Sequence, residues 1–273
     1  MRAGSSSPSL QSMIKLRVMS KNRGIELSNK TAGLRVVLAL LLPLAAALIT
    51  SLIVVNLVEI STLSRQASTA VLMSSIAVVS WLLGLRWYGP RGMGLRGGRP
   101  LYAGIGFAVL GWVIFLVLRI YFVDILTLGP SNSGRTYFYL LLFEAFAIQI
   151  WAYGLLFHAV ADWRGALTAA IASGILFGLV ATILFQEAYV GTQLSIVYFI
   201  VWGILYGVIR LRSGSLLGTV LIQSLQSFSA WFALVPYPRP DPGQLQSLYM
   251  SASIAYMIVI WRLWPKQEDD YRV

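Results

Sequence analysis

Eight apolar stretches, each about as long as a membrane-crossing helix, run through this chain. They cover residues 36–58, 67–85, 101–123, 137–160, 166–185, 193–209, 214–235 and 247–264. A helix needs about 20 apolar residues to cross the hydrocarbon core of a bilayer. Charged residues make up only 11% of the chain, against about 25% in soluble domains, which is too few to cover a globular surface. We therefore predict an all-α polytopic membrane protein with about eight transmembrane helices.

The distribution of basic residues predicts the orientation of these helices. With the N-terminus in the cytoplasm, all 21 Lys and Arg residues fall on the cytoplasmic side except Arg65, Arg119, Arg135 and Arg239. Cytoplasmic loops usually carry such an excess of Lys and Arg. We therefore predict that both termini are cytoplasmic, and we assign the net charge of +11 to topology rather than to nucleic-acid binding.

The same pattern divides the chain into three regions. Residues 1–32 are polar, Ser-rich and basic, with no signal-peptide core near Met1, and are predicted to form a disordered cytoplasmic tail. Residues 33–264 form the transmembrane domain, and residues 265–273 form a short cytoplasmic tail whose acids at 268–270 are solvated or, alternatively, dock to a basic partner. We expect a multi-pass protein of the cell (plasma or inner) membrane, in contact with the lipid bilayer.

Two further sequence features concern a loop and the helix packing. The loop between Arg86 and Arg99 is read as an ordinary cytoplasmic loop, with contact to anionic lipid head groups as the alternative. Glycine pairs four residues apart, at positions 174 and 178 and at positions 203 and 207, predict close packing between helices of the same chain.

The chain has few side chains of the types that bind metal ions or carry out redox chemistry. The chain has no cysteine and one histidine, His158, whereas catalytic zinc usually takes three protein ligands. His158 is fourteen residues from Glu144, so the two would lie on one helix face but about 21 Å apart. We therefore predict no metal site, no cofactor and no catalytic pair between these two residues.

A few polar side chains inside the predicted spans are the candidates for a functional site, because polar groups are costly in a bilayer. Glu144 is the one carboxylate well inside a span. In the seventh span, Thr219, Gln223, Gln226 and Ser227 lie at helical spacing on one predicted face. That face should turn toward the bundle interior, because lipid cannot satisfy amides. Hydrogen bonding that only fixes helix packing is the alternative to a functional role.

Three short motifs between the fourth and seventh spans resemble the CAAX-prenyl protease and bacteriocin-processing (CPBP, Abi) superfamily of eight-helix intramembrane proteases. Residues 211–218 read LRSGSLLG, residues 176–179 read LFGL, and residues 153–156 read YGLL. The first is similar to the entry to the family's last motif, the second to its second motif, and the third to the end of its first. The resemblance implies a CAAX protease-like core at about residues 137–235.

The same resemblance implies that the family's reactive groups are missing. The family's Glu-Glu pair falls on Ile148 and Gln149, and its Arg falls on Tyr153. The second motif keeps Phe177 but has Ala181 in place of His, while the His and Asn of the third motif fall on Gln223 and Ser227. An amide cannot accept a proton at neutral pH. Glu144 is expected about 140° away from Gln149 around an α-helix, too far to replace it.

We therefore expect no catalytic residues and a non-catalytic binding, assembly or scaffolding subunit of a membrane complex, with other membrane proteins as partners. The former active site would persist as a neutral polar pocket formed by Glu144, Gln149, Tyr153, Gln223, Gln226 and Ser227. A residual or altered intramembrane peptidase and a small-molecule or lipid carrier are the alternatives.

Overall fold

The computed structural model describes residues 10–57, 65–129, 134–184, 193–236, 241–267 and 270–272, and most of them are helical. The helices are α1 (Leu10–Leu57), α2 (Arg65–Trp87), α3 (Gly89–Gly92), α4 (Arg99–Phe122), α5 (Gly134–Arg164), α6 (Ala166–Leu184), α7 (Gln193–Ser213), α8 (Leu217–Ser227, continued by a π-helical turn at Phe228–Ala233) and α9 (Pro242–Leu263). Two short strands, β1 (Ile125–Leu128) and β2 (Leu234–Pro236), complete the described elements.

Six of these helices are long and apolar enough to cross a membrane, within the part of the chain that the structure describes. They include Lys30–Val54, Ala70–Trp87, Arg99–Phe122, Gly134–Arg164, Ala166–Ile183 and Gln193–Ser213. Helices α8 and α9 occupy the seventh and eighth predicted spans but are not among the six. The prediction of an all-α polytopic membrane protein is confirmed, while the count of eight spans and the orientation of the termini stay predictions.

Helix α1 begins earlier than the sequence predicted. Residues 10–32, which we expected to be a disordered tail, belong to one continuous helix that ends at Leu57. No proline precedes Pro43 within this helix, so no residue between Leu10 and the membrane-crossing part lacks a backbone N–H. Residues 1–9 lie outside the described residues.

Helices α6 and α7 pack closely along their glycines, as the sequence predicted for contacts within one chain. A Cβ atom on Gly178 would lie 2.5 Å from Cα of Ile200, and one on Gly203 would clash with the backbone of Gly174. Gly207 likewise faces the backbone of α6. Because side chains are absent at these positions, the two helix backbones approach closely without lipid between them.

Helix α5 lies inside the bundle, packed against α1, α2, α6 and α8. It is not a regular α-helix, because two π-helical segments, Leu140–Ala145 and Ile150–Leu156, flank a short α-helical stretch. In a π-helix the backbone hydrogen bonds run between residues five apart, and such segments occur often at functional sites. The polar residues of α5 that the sequence singled out lie in or beside these two segments.

A short antiparallel ribbon joins the ends of α4 and α8. Strand β1 pairs with β2, with Leu128 opposite Leu234. Arg119 lies fully buried beside this ribbon. Its Nη1 donates to the carbonyl of Val123 at 2.7 Å, and its Nε and Nη2 each donate at 3.1 Å, to the carbonyls of Ala230 and Leu234. This arginine, which the sequence assigned to the outer side near the end of the third predicted span, therefore fastens α4 to the end of α8.

Candidate functional site

The centre of the candidate site is a hydrogen-bonded cluster of three polar side chains between α5 and α8, the amide cluster of Gln149, Thr219 and Gln223. Gln149 Nε2 donates to Gln223 Oε1 at 2.6 Å, and Thr219 Oγ1 lies 2.9 Å from Gln149 Oε1 and 2.7 Å from the carbonyl of Leu216. All three side chains are fully buried. The cluster thus joins Gln149 of α5 to Thr219 and Gln223 of α8 through side-chain hydrogen bonds.

The chemistry open to the amide cluster is limited to hydrogen bonding. Amides and a threonine hydroxyl donate and accept hydrogen bonds, but none of them takes up a proton at neutral pH. Gln223 Nε2 is buried without a hydrogen-bond partner in the described part of the chain. An unpaired buried donor is costly, so this amide keeps a free capacity to bind a carbonyl oxygen.

Glu144 contacts the same face of α8 as the amide cluster, which differs from our expectation. Its Oε1 accepts a hydrogen bond from Ser227 Oγ at 2.8 Å, one helical turn beyond Gln223. A regular α-helix would have turned Glu144 about 140° away from Gln149. The π-helical segment Leu140–Ala145 ends beside Glu144, and the stretch Phe146–Gln149 that follows it is α-helical. Both side chains therefore bond to α8, and the angle between them around α5 stays a prediction.

Tyr153 lies deeper in the bundle and bonds to a different helix. Its hydroxyl donates to the carbonyl of Gly203 in α7 at 2.6 Å, and its ring centroid is 5.7 Å from that of Phe177. Tyr153, Phe177 and Ala181 are all fully buried. Tyr153 thus fastens α5 to α7 through its phenol group.

Gln226 does not join the amide cluster, although the sequence placed it on the same face. Its Nε2 donates to the hydroxyl of Tyr198 at 2.9 Å and lies 3.4 Å from that of Tyr256, on α7 and α9. Gln226 is three residues from Gln223, yet its side chain reaches tyrosines of α7 and α9. That the six residues form one pocket stays a prediction.

His158 lies at the other end of α5, away from Glu144 and its partner Ser227. Its Nε2 is 3.9 Å from a carboxylate oxygen of Asp162, and its ring packs against Tyr88 with centroids 4.4 Å apart. Within the described residues, no three His, Cys, Asp or Glu side chains come together in a way that could hold a metal ion.

Sequence reasoning missed two arginines that the structure buries. Arg119 and Arg210 were both counted as loop charges, yet neither side chain is exposed. The sequence feature that could have indicated the burial of Arg210 is a glycine in the loop between α3 and α4. A Cβ atom on Gly94 would lie 2.5 Å from Arg210 Nε, so the loop approaches the guanidinium at a glycine.

Comparison with known proteins covers the part of the chain that carries these contacts. No curated protein matches the chain. The family model described as type II CAAX prenyl endopeptidase, Rce1-like, matches residues 131–229, which contain α5 to α8 and both glutamines of the amide cluster. Over this segment the resemblance that the three motifs indicated, to the superfamily of CAAX prenyl proteases, is therefore confirmed.

Proposed function

We propose that this chain is a non-catalytic integral membrane protein that binds or assembles other membrane proteins. The observation that carries the proposal is the direct bond between the side chains of Gln149 and Gln223. In the resembled family, these positions supply the base that activates water and a histidine that binds the scissile carbonyl. Two amide groups bonded to each other at 2.6 Å leave no space for a water molecule between those atoms.

The loss of a general base should strongly lower the rate of peptide cleavage. A positioned general base contributes about 10²–10⁴-fold to the rate of a proton-transfer step. Here the base position is an amide, and one histidine position, Ala181, is a methyl group that is fully buried. The polar side chains of the former site instead bond α5 to its neighbours, so they support a fixed helix arrangement.

The surface that we assign to a partner is the exposed face of α1. Leu34, Leu41 and Leu48 lie seven residues apart, and their exposed fractions are 58%, 54% and 63%. Apolar residues repeated every seven positions form one seam along a helix, which suits packing against a second helix. Within the membrane, this face of α1 offers a partner helix a continuous apolar contact.

The test is purification of the full chain in a mild detergent, followed by mass spectrometry of what accompanies it. We expect a membrane protein at about equal stoichiometry, and we expect the double variant Leu41→Ala, Leu48→Ala to lose it. Val117→Ala on α4 is the matched control, because Val117 is an apolar side chain that is 60% exposed on another helix. A chain that is recovered alone, or a partner that is kept equally by all variants, would contradict the assignment.

A residual peptidase is the second candidate, because Glu144 places a carboxyl group on the same face as the amide cluster. This candidate predicts cleavage of a farnesylated CAAX peptide by the purified protein. Cleavage should then be lost when Glu144, Gln149 and Gln223 are all replaced by alanine. The non-catalytic proposal predicts that neither protein cleaves the peptide, and turnover by the wild type alone would overturn it.

A further inference from the structure

Two arginines at one end of the bundle hold their guanidinium groups against backbone carbonyls. Arg210, near the end of α7, is fully buried, with Nε 3.3 Å from the carbonyl of Tyr153 and Nη2 3.0 Å from that of Gly92. Arg96, in the loop before α4, donates to the carbonyls of Arg91 and Arg272 at 3.0 and 3.3 Å. In the described part of the chain, neither guanidinium is within ion-pair distance of a carboxylate.

Arg210 is incompletely paired as well as charged. Its Nη1 is buried with no hydrogen-bond partner among the described residues. A guanidinium stays protonated in proteins, so this group cannot lower the cost of burial by losing its charge. A buried charge without a counter-charge is far more costly than an unpaired neutral group. The unpaired Nη1 therefore makes this point favourable for an anion.

The surrounding groups do not supply that anion. Burial raises the pKa of Tyr88 to about 12, so its phenol stays neutral beside the loop. Asp162 is the carboxylate that faces His158, at 3.9 Å, and its side chain is 41% exposed. His158 Nδ1 is a second buried atom without a partner among the described residues, and it belongs to the ring that contacts Tyr88.

The loop between α3 and α4 packs against the Arg210 guanidinium. Gly94 has φ of +81°, and a Cβ atom there would lie 2.5 Å from Nε and 2.6 Å from Cζ of Arg210. The carbonyl of Gly94 accepts a hydrogen bond from the N–H of Leu216 at 2.9 Å, which fixes the loop on the start of α8. The glycine thus lets the backbone cover one side of the guanidinium while Nη1 remains unpaired.

We propose that a phosphate group binds between Arg210 and Arg96, supplied by the head group of an anionic lipid. A guanidinium binds phosphate oxygens with two parallel N–H bonds, which suits phosphate better than a spherical anion. The site is at the end of α7 that is rich in arginine, where anionic head groups meet a membrane protein. Arg96 is only partly buried, so its side chain turns to admit the phosphate.

Thermal unfolding of the full chain in a maltoside detergent, followed by tryptophan fluorescence, tests this site. We expect dioleoylphosphatidylglycerol to raise the Tm saturably and dioleoylphosphatidylcholine to leave it unchanged. Sodium phosphate distinguishes the two sources of the group: a rise with phosphate alone would identify a soluble anion as the ligand of the same site. No rise with either phosphatidylglycerol or phosphate would overturn the proposal.

Variants separate this site from general attraction between a basic protein and an anionic lipid. Arg210→Gln and Arg96→Gln should each raise the phosphatidylglycerol concentration for half the Tm shift at least tenfold, or about 1.4 kcal/mol. Arg99→Gln removes the same charge from an exposed position in the same region and should change it less than twofold. Equal effects of all three would refute the site. If Arg210→Gln does not fold, Arg96→Gln alone tests the site. Arg96 is only partly buried, so its replacement should leave the fold intact.

Discussion

The hydrogen bond between Gln149 and Gln223 should be measurable as a coupling energy. Replacing Gln149 with Leu leaves Gln223 Oε1 without its donor. The hydroxyl of Thr219 still has a hydrogen-bond partner, because it donates to the carbonyl of Leu216. An unpaired buried polar group costs about 1–3 kcal/mol. Replacing Gln223 with Leu leaves Gln149 Nε2 unpaired but also removes the Gln223 Nε2 that already lacks a partner. We therefore expect Gln149→Leu to destabilise the protein more than Gln223→Leu.

The double variant provides the decisive measurement. With both amides replaced by leucine, the two apolar side chains meet, and such a replacement can be nearly neutral. Side-chain hydrogen bonds between membrane helices have measured couplings of about 0.6 kcal/mol on average and up to about 1.7. Because this bond is short and fully buried, we expect a coupling of about 1 kcal/mol, with the double variant more stable than the sum of the singles predicts.

Reversible unfolding in mixed dodecyl sulfate and maltoside micelles, monitored by tryptophan fluorescence, measures the four free energies of unfolding. The control is the exposed bond between Gln244 Nε2 and Asp124 Oδ2, which has a similar length of 2.8 Å. Its double-mutant cycle with Gln244→Leu and Asp124→Leu should give a coupling close to zero, because water replaces either partner. Additive effects of Gln149→Leu and Gln223→Leu would show that these side chains do not interact as described.

Two further predictions concern the helix packing and the C-terminal residues. Gly203→Ala should lower the free energy of unfolding by about 1–3 kcal/mol, because its Cβ meets the α6 backbone. Gly106→Ala, whose added Cβ would meet nothing within 4 Å apart from the backbone of its own helix, should raise it by about 0.5–1 kcal/mol. In the same unfolding assay, a Gly203→Ala variant that is not destabilised would refute the first prediction, and a destabilised Gly106→Ala variant would refute the second. The backbone N–H of Lys266 and the side chain of Arg212 lower the pKa of Asp270. At any pH above the ordinary Asp pKa, the ionised carboxylate therefore keeps residues 270–272 against Arg212. This contact weakens as the pH falls through the lowered pKa, because the carboxylate is then protonated. Asp270→Asn should therefore speed amide hydrogen exchange of residues 270–272 at pH 7, and unchanged exchange would contradict this role.

The acidic residues of the C-terminal segment make a contact that the sequence alone did not predict. We read positions 268–270 as solvated or as a dock for a basic partner, yet Asp270 Oδ2 lies 2.8 Å from Nη1 of Arg212 in the same chain. Both residues look like ordinary loop charges. The pair forms because the N–H of Arg272 donates to the carbonyl of Leu211, which brings the segment back onto α7. Glu268 and Asp269 lie outside the described residues.

The membrane-crossing helices and the contact between α5 and α8 could be predicted, because long apolar runs and the spacing of family motifs depend on little else. The irregular turns of α5 could not, because we assumed 100° per residue and no residue type marks a π-helical turn. The burial of Arg210 could not either, because a charge near a helix end looks the same whether it faces water or a glycine backbone. The partners of Gln226 on α7 and α9 could not be predicted either, since a long side chain can reach residues beside the face on which it lies.

The π-helical segment Leu140–Ala145 makes the position of Glu144 dependent on chain length as well as on residue type. Deleting Ala145, the last residue of this segment, would turn Glu144 and the preceding part of α5 by about 100° relative to Gln149 and the rest of the helix. The carboxyl group would then leave Ser227 without any change in the residues that contact it. In this part of the molecule, a one-residue deletion is therefore as direct a way to move a partly buried acid as a substitution is.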